Sequence, residues 1–302
     1  MGKGAATPSR TLRGAEGFEQ TYASWFGDRW PALRAALLSP HGAVARQNRF
    51  ADTRGLQARS GLAPHPGLAG CLRGESLPAP EQDGAGLTTH YLLDAASVRV
   101  ARALPLTGAG RVADLCAAPG GKSLILAESL EPGATLVCNE WSEPRRFRLR
   151  ATLRDYLPAE VLARVQVTGM DASRWCLREP ASYDAILLDA PCSSESHVLR
   201  DAAALSEWSS ARSRQLAMRQ FALLSSAFEM LRVGGRVLYA TCALAEVEND
   251  GVVGRLLERR GDAVRQEPLD LGAGRPTRHG VSITPDLDGE GPMFASLLQK
   301  CR

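Results

Sequence analysis

Two cysteines stand where apolar strands give out. The stretch ILLDAPCSS, residues 186–194, runs from an apolar segment into Asp189, a proline that cannot donate a hydrogen bond, and Cys192; RVLYATC, residues 236–242, ends in Cys242. A thiolate is a strong nucleophile, but a free cysteine has a pKa of ~8.5, so a site that uses one must lower that value or remove the proton as attack begins. Buried cysteine is also an ordinary small core residue, and Cys116, Cys138 and Cys176 are read that way. Cys192 and Cys242 differ because each follows a strand, within D-A-P-C and A-T-C.

A third strand end carries DLCAAPGGKS, residues 114–123. A glycine-bearing turn between strand and helix lets backbone N–H groups approach a ligand. A phosphate-binding loop would need a glycine where Cys116 stands, and the G-x-G-x-x-G dinucleotide fingerprint is absent. What remains is a loop that wraps an amino-acid moiety, with Gly120 and Gly121 in the turn and Lys122 available for a carboxylate, as methyl transfer from S-adenosylmethionine requires. Glu140 ends the next strand, where a carboxylate accepts ribose hydroxyls or merely caps the following helix. Asp171 follows the third strand and either accepts from an adenine amino group or stabilises a turn. Asp189 closes the fourth.

The elements that must position these groups follow from periodicity. Helical spacing predicts helices over 15–50, with Phe18, Tyr22, Trp25, Trp30, Leu33 and Leu37 as a stripe broken near Gly27 and Pro31. Residues 60–88 have the Gly, Pro and Ala composition of a connector. Thereafter helices at 90–104, 121–130, 143–157, 208–231 and 245–260 alternate with strands at 111–116, 135–140, 165–169, 183–189 and 236–242, and 291–300 reads as a late edge strand or hairpin arm. This rhythm predicts an α/β fold, a doubly wound and mainly parallel sheet whose ligands collect at the C-terminal strand ends. The expected division is a small helical N-terminal extension with linker over 1–87 and a catalytic domain over 88–302.

Composition limits the alternatives. The chain has 302 residues, 44% of them hydrophobic and 23% charged, enough to close a sizeable core. A net charge of +3 does not by itself argue for a polyanionic partner. Local clusters supply what the total does not: Arg145, Arg146, Arg148, Arg150 and Arg154 on one predicted helix, and Arg46, Arg49, Arg54 and Arg59 near the N-terminus, each readable as a phosphate-contacting surface or a solvated face. The seven cysteines form no C-x-x-C pair and have no histidine at zinc-finger spacing, so no metal site is expected. Their odd number favours a reducing compartment. Lys3, Arg10 and Arg13, with no acid before Glu16, are compatible with the remnant of an organellar transit peptide. No apolar run is long enough to cross a bilayer, so no membrane association is expected.

Taken together, DLCAAPGGK, CNE, DAPCSS and YATC, in this order and spacing, resemble the signature motifs of the Nop/Sun-domain RNA cytosine-5 methyltransferases. The resemblance covers roughly 88–302, including the final GPMF. It implies a Rossmann-like class I methyltransferase domain and S-adenosylmethionine as cofactor, held by Gly120, Gly121, Lys122, Glu140, Arg145, Asp171 and Asp189. It assigns Cys242 as the nucleophile toward cytosine carbon 6, Cys192 as the group that resolves the adduct, and Asp189 as the acid beside the base edge. Glu140 stands where many members have aspartate. HYLLDAAS and FEQTYASWFGDRWPALRAALL are similar to the mitochondrial branch that modifies small-subunit ribosomal RNA, which implies a mitochondrial location, an RNA substrate and a helical-repeat partner of the termination-factor type. CNE also occurs in a mitochondrial relative that modifies tRNA, and His197 matches a residue of the ribosomal branch whose role is open. The competing reading is a ribosome-assembly scaffold that keeps the fold with catalysis dispensable; a methyltransferase acting on DNA or protein is weaker, because the DNA enzymes take their nucleophile from the P-C motif alone.

Overall fold

The structure is a computed structural model and describes residues 11–302, so Lys3 and Arg10 lie outside the described residues. The chain begins with helix α1 (Gly14–Phe26) and helix α2 (Trp30–Leu38). Phe18 and Tyr22 sit one turn apart on α1, and Trp30, Leu33 and Leu37 recur at helical spacing on α2; all five are buried. Gly27 ends α1 with φ of 54°, a conformation that suits a residue without Cβ. Trp25, placed in the stripe by spacing, is 49% exposed.

Two expectations for this region are corrected. Strand β1 (Ala43–Gln47) lies inside the stretch expected to be helical, and after the short helix α3 (Leu56–Ser60) the connector contributes β2 (Ala63–Pro64) and β3 (Cys71–Arg73). The helix expected over 90–104 opens instead as strand β4 (His90–Asp94) and becomes helix α4 (Ala95–Ala103) only after Asp94, whose side chain accepts from Ala96 N as an N-cap. The switch is tertiary: β4 pairs antiparallel with β1, from Ala43 opposite Asp94 to Gln47 opposite His90. A four-stranded sheet of order β2-β3-β1-β4 thus accompanies the N-terminal helices, its last strand lying beyond residue 87.

The larger sheet follows the predicted alternation. Its parallel part comprises β5 (Arg111–Asp114), β6 (Thr135–Asn139), β7 (Val165–Thr168), β8 (Tyr183–Asp189) and β9 (Leu231–Thr241). These are linked through α5 (Gly121–Glu128), α6 (Glu143–Tyr156), α7 (Ala159–Leu162), α8 (Glu195–Arg200), α9 (Ala202–Glu207) and α10 (Ser210–Met230). Ala185–Leu188 form an unbroken buried apolar run, as a strand covered on both faces requires. One face packs Val112, Leu136 and Leu187 against helices including α4, α5 and α6. The other packs Val137, Ile186 and Tyr239 against Phe221, Leu224 and Phe228 of α10 and Val253 of α11 (Asp250–Arg260). The doubly wound expectation holds.

Beyond β9 the sheet continues with antiparallel strands: β10 (Val264–Glu267), β11 (Arg275–Pro276), β12 (Val281–Ile283) and, after helix α12 (Pro285–Asp288), β13 (Met293–Lys300). The strand order is β11-β12-β13-β9-β8-β5-β6-β7, with β10 also paired to β13. The segment expected as an edge strand or hairpin arm is interior, antiparallel both to β12, the strand before it, and to β9, which it pairs from Thr241 opposite Phe294 to Arg236 opposite Gln299.

Candidate active site

Cys242 follows β9 directly, whereas Cys192 lies three residues beyond the end of β8 rather than on it. The strands hold the two loops side by side, with Asp189 in register with Ala240. The sulfurs meet at 2.9 Å, and both cysteines are free and partly exposed. Ser194 completes the group, its Oγ 3.2 Å from Cys242 Sγ and 3.6 Å from Cys192 Sγ. Its backbone occupies the left-handed region at φ of 52°, a costly conformation for serine that aims the hydroxyl at the thiols. The hydrogen bond from Cys192, joined by that from Ser194, outweighs burial and holds the Cys242 thiol below its ordinary pKa. Cys192 is displaced the opposite way, by the same hydrogen bond and then by burial. Of the two sulfurs, Cys242 is therefore the readier to ionise.

Lys122 Nζ lies 2.8 Å from Asp189 Oδ2 and 3.1 Å from Ser97 Oγ. Burial works against the ammonium, but Asp189, and then Cys242 and Asp114, outweigh it and hold the lysine above its ordinary value. The carboxylate expected for Lys122 is thus supplied by the chain itself. These groups line a cavity of about 190 Å³ together with Asp114 and Gly121. Asp114 accepts from Ser123 Oγ at 2.7 Å through one oxygen, while the other, Oδ1, is buried without a partner. Burial is the main cause that pushes this carboxyl to about 7. The glycines of the turn answer to packing: Gly120 has φ of 121°, and a Cβ there would lie 2.9 Å from Thr152 Cγ2 on α6.

A second cavity, of about 390 Å³, shares Cys116 with the first and opens over Glu140, Arg145, Asp171 and Trp141. Glu140 Oε1 accepts from Ser142 N at 2.8 Å, and Oε2 is buried without a hydrogen bond, with Arg145 Nη1 at 3.3 Å. Arg145 also donates to Ala118 O at 2.8 Å, tying this acid to the glycine-bearing turn. Asp171 spends Oδ1 on Ser173 N and Oγ, so it does stabilise a turn while lining the cavity. Asn139 binds the three strand ends together, donating to Leu115 O and Met170 O and accepting from Thr168 Oγ1.

Cys242 also faces a third cavity, of about 460 Å³, lined among others by Ser97, Asp94, Arg200 and Met293. Ser97 borders both this space and the one around Lys122. His197 lies outside it, exposed on α8. Asp114, Ser97 and Ser194 were not singled out by residue type; Asp114 and Ser194 sit within the quoted motifs, where their neighbours drew the attention. Of the N-terminal arginines, Arg46 is not a phosphate contact: it is buried and paired with both oxygens of Glu128 at 2.7 Å. Arg148, Arg150 and Arg154 of α6 are exposed, as are Trp141 and Phe147 beside them.

Comparison with known proteins gives a consistent result. The family described as 16S rRNA methyltransferase RsmB/F matches residues 101–299. The chain is 32% identical over 301 residues to the tRNA (cytosine(34)-C(5))-methyltransferase, mitochondrial, of Mus musculus, covering 94% of this chain and 82% of that protein. It is 34% identical over 281 residues to the 5-cytosine rRNA methyltransferase NSUN4 of Mus musculus, covering 80% and 73%. Among solved structures, NSun6 from Pyrococcus horikoshii with SFG superposes with a TM-score of 0.73 at 18% identity, over 94% of this chain and 97% of that one. With paired thiols at adjoining strand ends beside a two-lobed cleft, the chain belongs to the RsmB/F family, the Nop/Sun-domain RNA cytosine-5 methyltransferases.

Proposed function

We propose that the protein uses S-adenosylmethionine to form 5-methylcytosine in small-subunit ribosomal RNA, through a covalent bond between Cys242 and cytosine carbon 6. The observation that carries this reading is the 2.9 Å contact between the two sulfurs, with Ser194 Oγ as a second donor to Cys242. The cleft fits the cofactor: two buried carboxylate oxygens lack partners, Asp114 Oδ1 in the smaller lobe and Glu140 Oε2 in the larger. An ammonium suits the first and a ribose hydroxyl the second. Gly120, Gly121 and Lys122 border the amino-acid end, Arg145 steadies Glu140, and Asp171 borders the adenine end. S-adenosylmethionine supplies an electrophilic methyl group on a sulfonium.

Carbon 5 of cytosine is a poor nucleophile until electrons are pushed onto it. The Cys242 thiolate does this by adding to carbon 6. Asp189, held by Lys122, accepts from the base edge, and the ammonium beside it offsets the negative charge that spreads toward ring nitrogen 3. After methylation, carbon 5 still carries a proton. Cys242 is now a thioether and no longer the neighbour that kept Cys192 protonated, so Cys192 gives its own proton to solvent, takes the carbon 5 proton as a thiolate and ends as a thiol. The bond from carbon 6 to sulfur then breaks and returns the Cys242 thiolate.

The base must leave its stack to enter the cavity under Cys242, which costs a few kcal/mol and is easiest in unpaired RNA. Exposed Arg148, Arg150 and Arg154, with Trp141 and Phe147, offer phosphate contacts and stacking faces. A mitochondrial location belongs to the same reading, supported by the mitochondrial tRNA relative and tested by fractionation; a helical-repeat partner rests on the motif resemblance alone and is tested by co-purification. The experiment that decides the activity is bisulfite mapping of organellar and cytosolic RNA with and without the protein, alongside transfer of labelled methyl groups in vitro. Loss of one ribosomal 5-methylcytosine on removal is the expected result; an unchanged map ends the proposal.

A further inference from the structure

The loops that carry the two cysteines are joined by one buried carboxylate. Glu195 Oε1 accepts from the hydroxyl of Ser193, next to Cys192, and from Tyr22 OH on α1 at 2.6 Å. Its Oε2 accepts from Leu244 N at 3.0 Å, two residues past Cys242. Glu195 is fully buried, as is Tyr22. A second buried acid, Glu248, holds the same loop by accepting from Ser193 N at 3.0 Å and Gln220 Nε2 at 2.8 Å. Around this centre Phe18, Tyr22 and Trp30 of the N-terminal helices pack on Val198 and Leu199, which follow Cys192, and on Leu244, which follows Cys242.

We propose that Glu195 is a positioning residue that fixes the separation of the Cys192 and Cys242 sulfurs, and that Tyr22 makes this separation depend on helix α1. Among the described residues, no other side chain hydrogen-bonds to both cysteine loops and to the N-terminal helices. A backbone N–H cannot reverse its polarity, so Leu244 N requires an acceptor at that place; the two hydroxyls then fill the other oxygen. An amide that keeps its oxygen on Leu244 N turns its NH2 toward the two hydroxyls, which must then rotate to accept, and the charge-assisted bonds that hold the loops are lost. Glu195 itself is satisfied at both oxygens, and a buried polar centre of this kind specifies one arrangement of the groups it connects. The proposal rests on the two-thiol reading for its catalytic consequence, but its geometry is measurable without methyl transfer.

The test uses phenylarsine oxide, which forms two arsenic–sulfur bonds to a pair of adjacent thiols and releases water. Wild type is compared with Glu195→Gln and Tyr22→Phe, and with Cys192→Ala and Cys242→Ala as controls that remove the pair. Arsenical affinity in Glu195→Gln and Tyr22→Phe is expected to fall about fivefold or more, and kcat about tenfold, with KM for RNA and cofactor within about twofold of wild type. Tyr22→Phe keeps the ring packing, so it reads the hydrogen bond even where Glu195→Gln does not fold. Glu195→Gln or Tyr22→Phe folded by circular dichroism, with wild-type arsenical affinity and wild-type kcat, overturns the proposal. Loss of arsenical capture in both variants, with no methyl transfer from any form including wild type, sustains the role of Glu195 and removes the two-thiol reaction instead.

Discussion

Lys122 Nζ and Asp189 Oδ2 form an ion pair of 2.8 Å at the floor of the cleft, joining the glycine-bearing turn after β5 to the end of β8. The pair fixes the acid beside Cys242 and spends on the chain itself the positive charge that residue type alone would offer to a ligand. Removing one partner leaves the other half-buried and uncompensated, which is costly. Lys122→Met is therefore expected to lower kcat by at least about a hundredfold while leaving RNA affinity within about threefold. Filter binding beside single-turnover methyl transfer separates the two, and a purely structural pair is indicated by equal loss of both.

The cysteines should fail in different ways. Cys242→Ala is expected to abolish labelled methyl transfer and form no protein–RNA adduct. Cys192→Ala still adds to carbon 6 but cannot clear the carbon 5 proton, so a complex stable to denaturing electrophoresis should accumulate. Normal transfer by Cys242→Ala removes Cys242 as the nucleophile, whereas normal ribosome assembly with that variant, failing only on deletion of the protein, returns the scaffold reading.

Because hydrogen bonds from Cys192 and Ser194 hold the Cys242 thiol below its ordinary value, the rate should rise with pH along a limb that lies below that of a free cysteine. Ser194→Ala removes one donor and should move the limb upward by about half to one pH unit. The pH dependence of alkylation by iodoacetamide, followed at Cys242 by mass spectrometry, checks this without RNA. An unmoved limb assigns Ser194 to loop geometry alone.

Asp114 is pushed by burial from an ordinary 3.8 to about 7. A folded-state pKa above the unfolded value means the native state binds the proton more tightly, so this stabilising contribution is complete below pH 4 and is lost as pH rises through 7, a change on the order of 4 kcal/mol. Asp114→Asn should flatten the dependence of Tm on pH between 4 and 7 in the cofactor-free protein and raise Tm at pH 8. It should also weaken cofactor binding about tenfold by removing the charge opposite the ammonium. Calorimetry with and without cofactor reads both; a Tm profile parallel to wild type contradicts the first half.

Gly120→Ala forces a Cβ into the left-handed region and against Thr152 Cγ2. The expected loss of stability is about 1–3 kcal/mol. Thr152→Ser in the same chain should recover part of it by removing the crowded methyl, but not the conformational cost. Chemical denaturation of the two single variants and the double variant separates these contributions.

The site was legible where it depends on local turn chemistry. Apolar runs such as Ala185–Leu188 announce strands buried on both faces, and the acids, glycines and cysteines that interrupt them mark the edge where ligands collect. What could not be read depends on partners distant in the chain. His90–Asp94 satisfies helical and extended patterns alike, and only pairing with Ala43–Gln47 decides between them. Glu195 lies in SSESH, a polar stretch that reads as solvated, and only Tyr22 and Leu244 N show why an acid is buried there. Arg46 looked like a phosphate contact until Glu128 accounted for its charge.

Strand β13 sits inside the large sheet, yet each strand it joins, β9, β10 and β12, precedes it in the chain. During synthesis, the open backbone of β9 must wait for Met293–Lys300 to emerge from the ribosome, and until then the loop bearing Cys242 hangs from an unpaired edge. A variant without Met293–Lys300 should leave the edge of β9 open and yield a sticky, aggregating product rather than a slower enzyme.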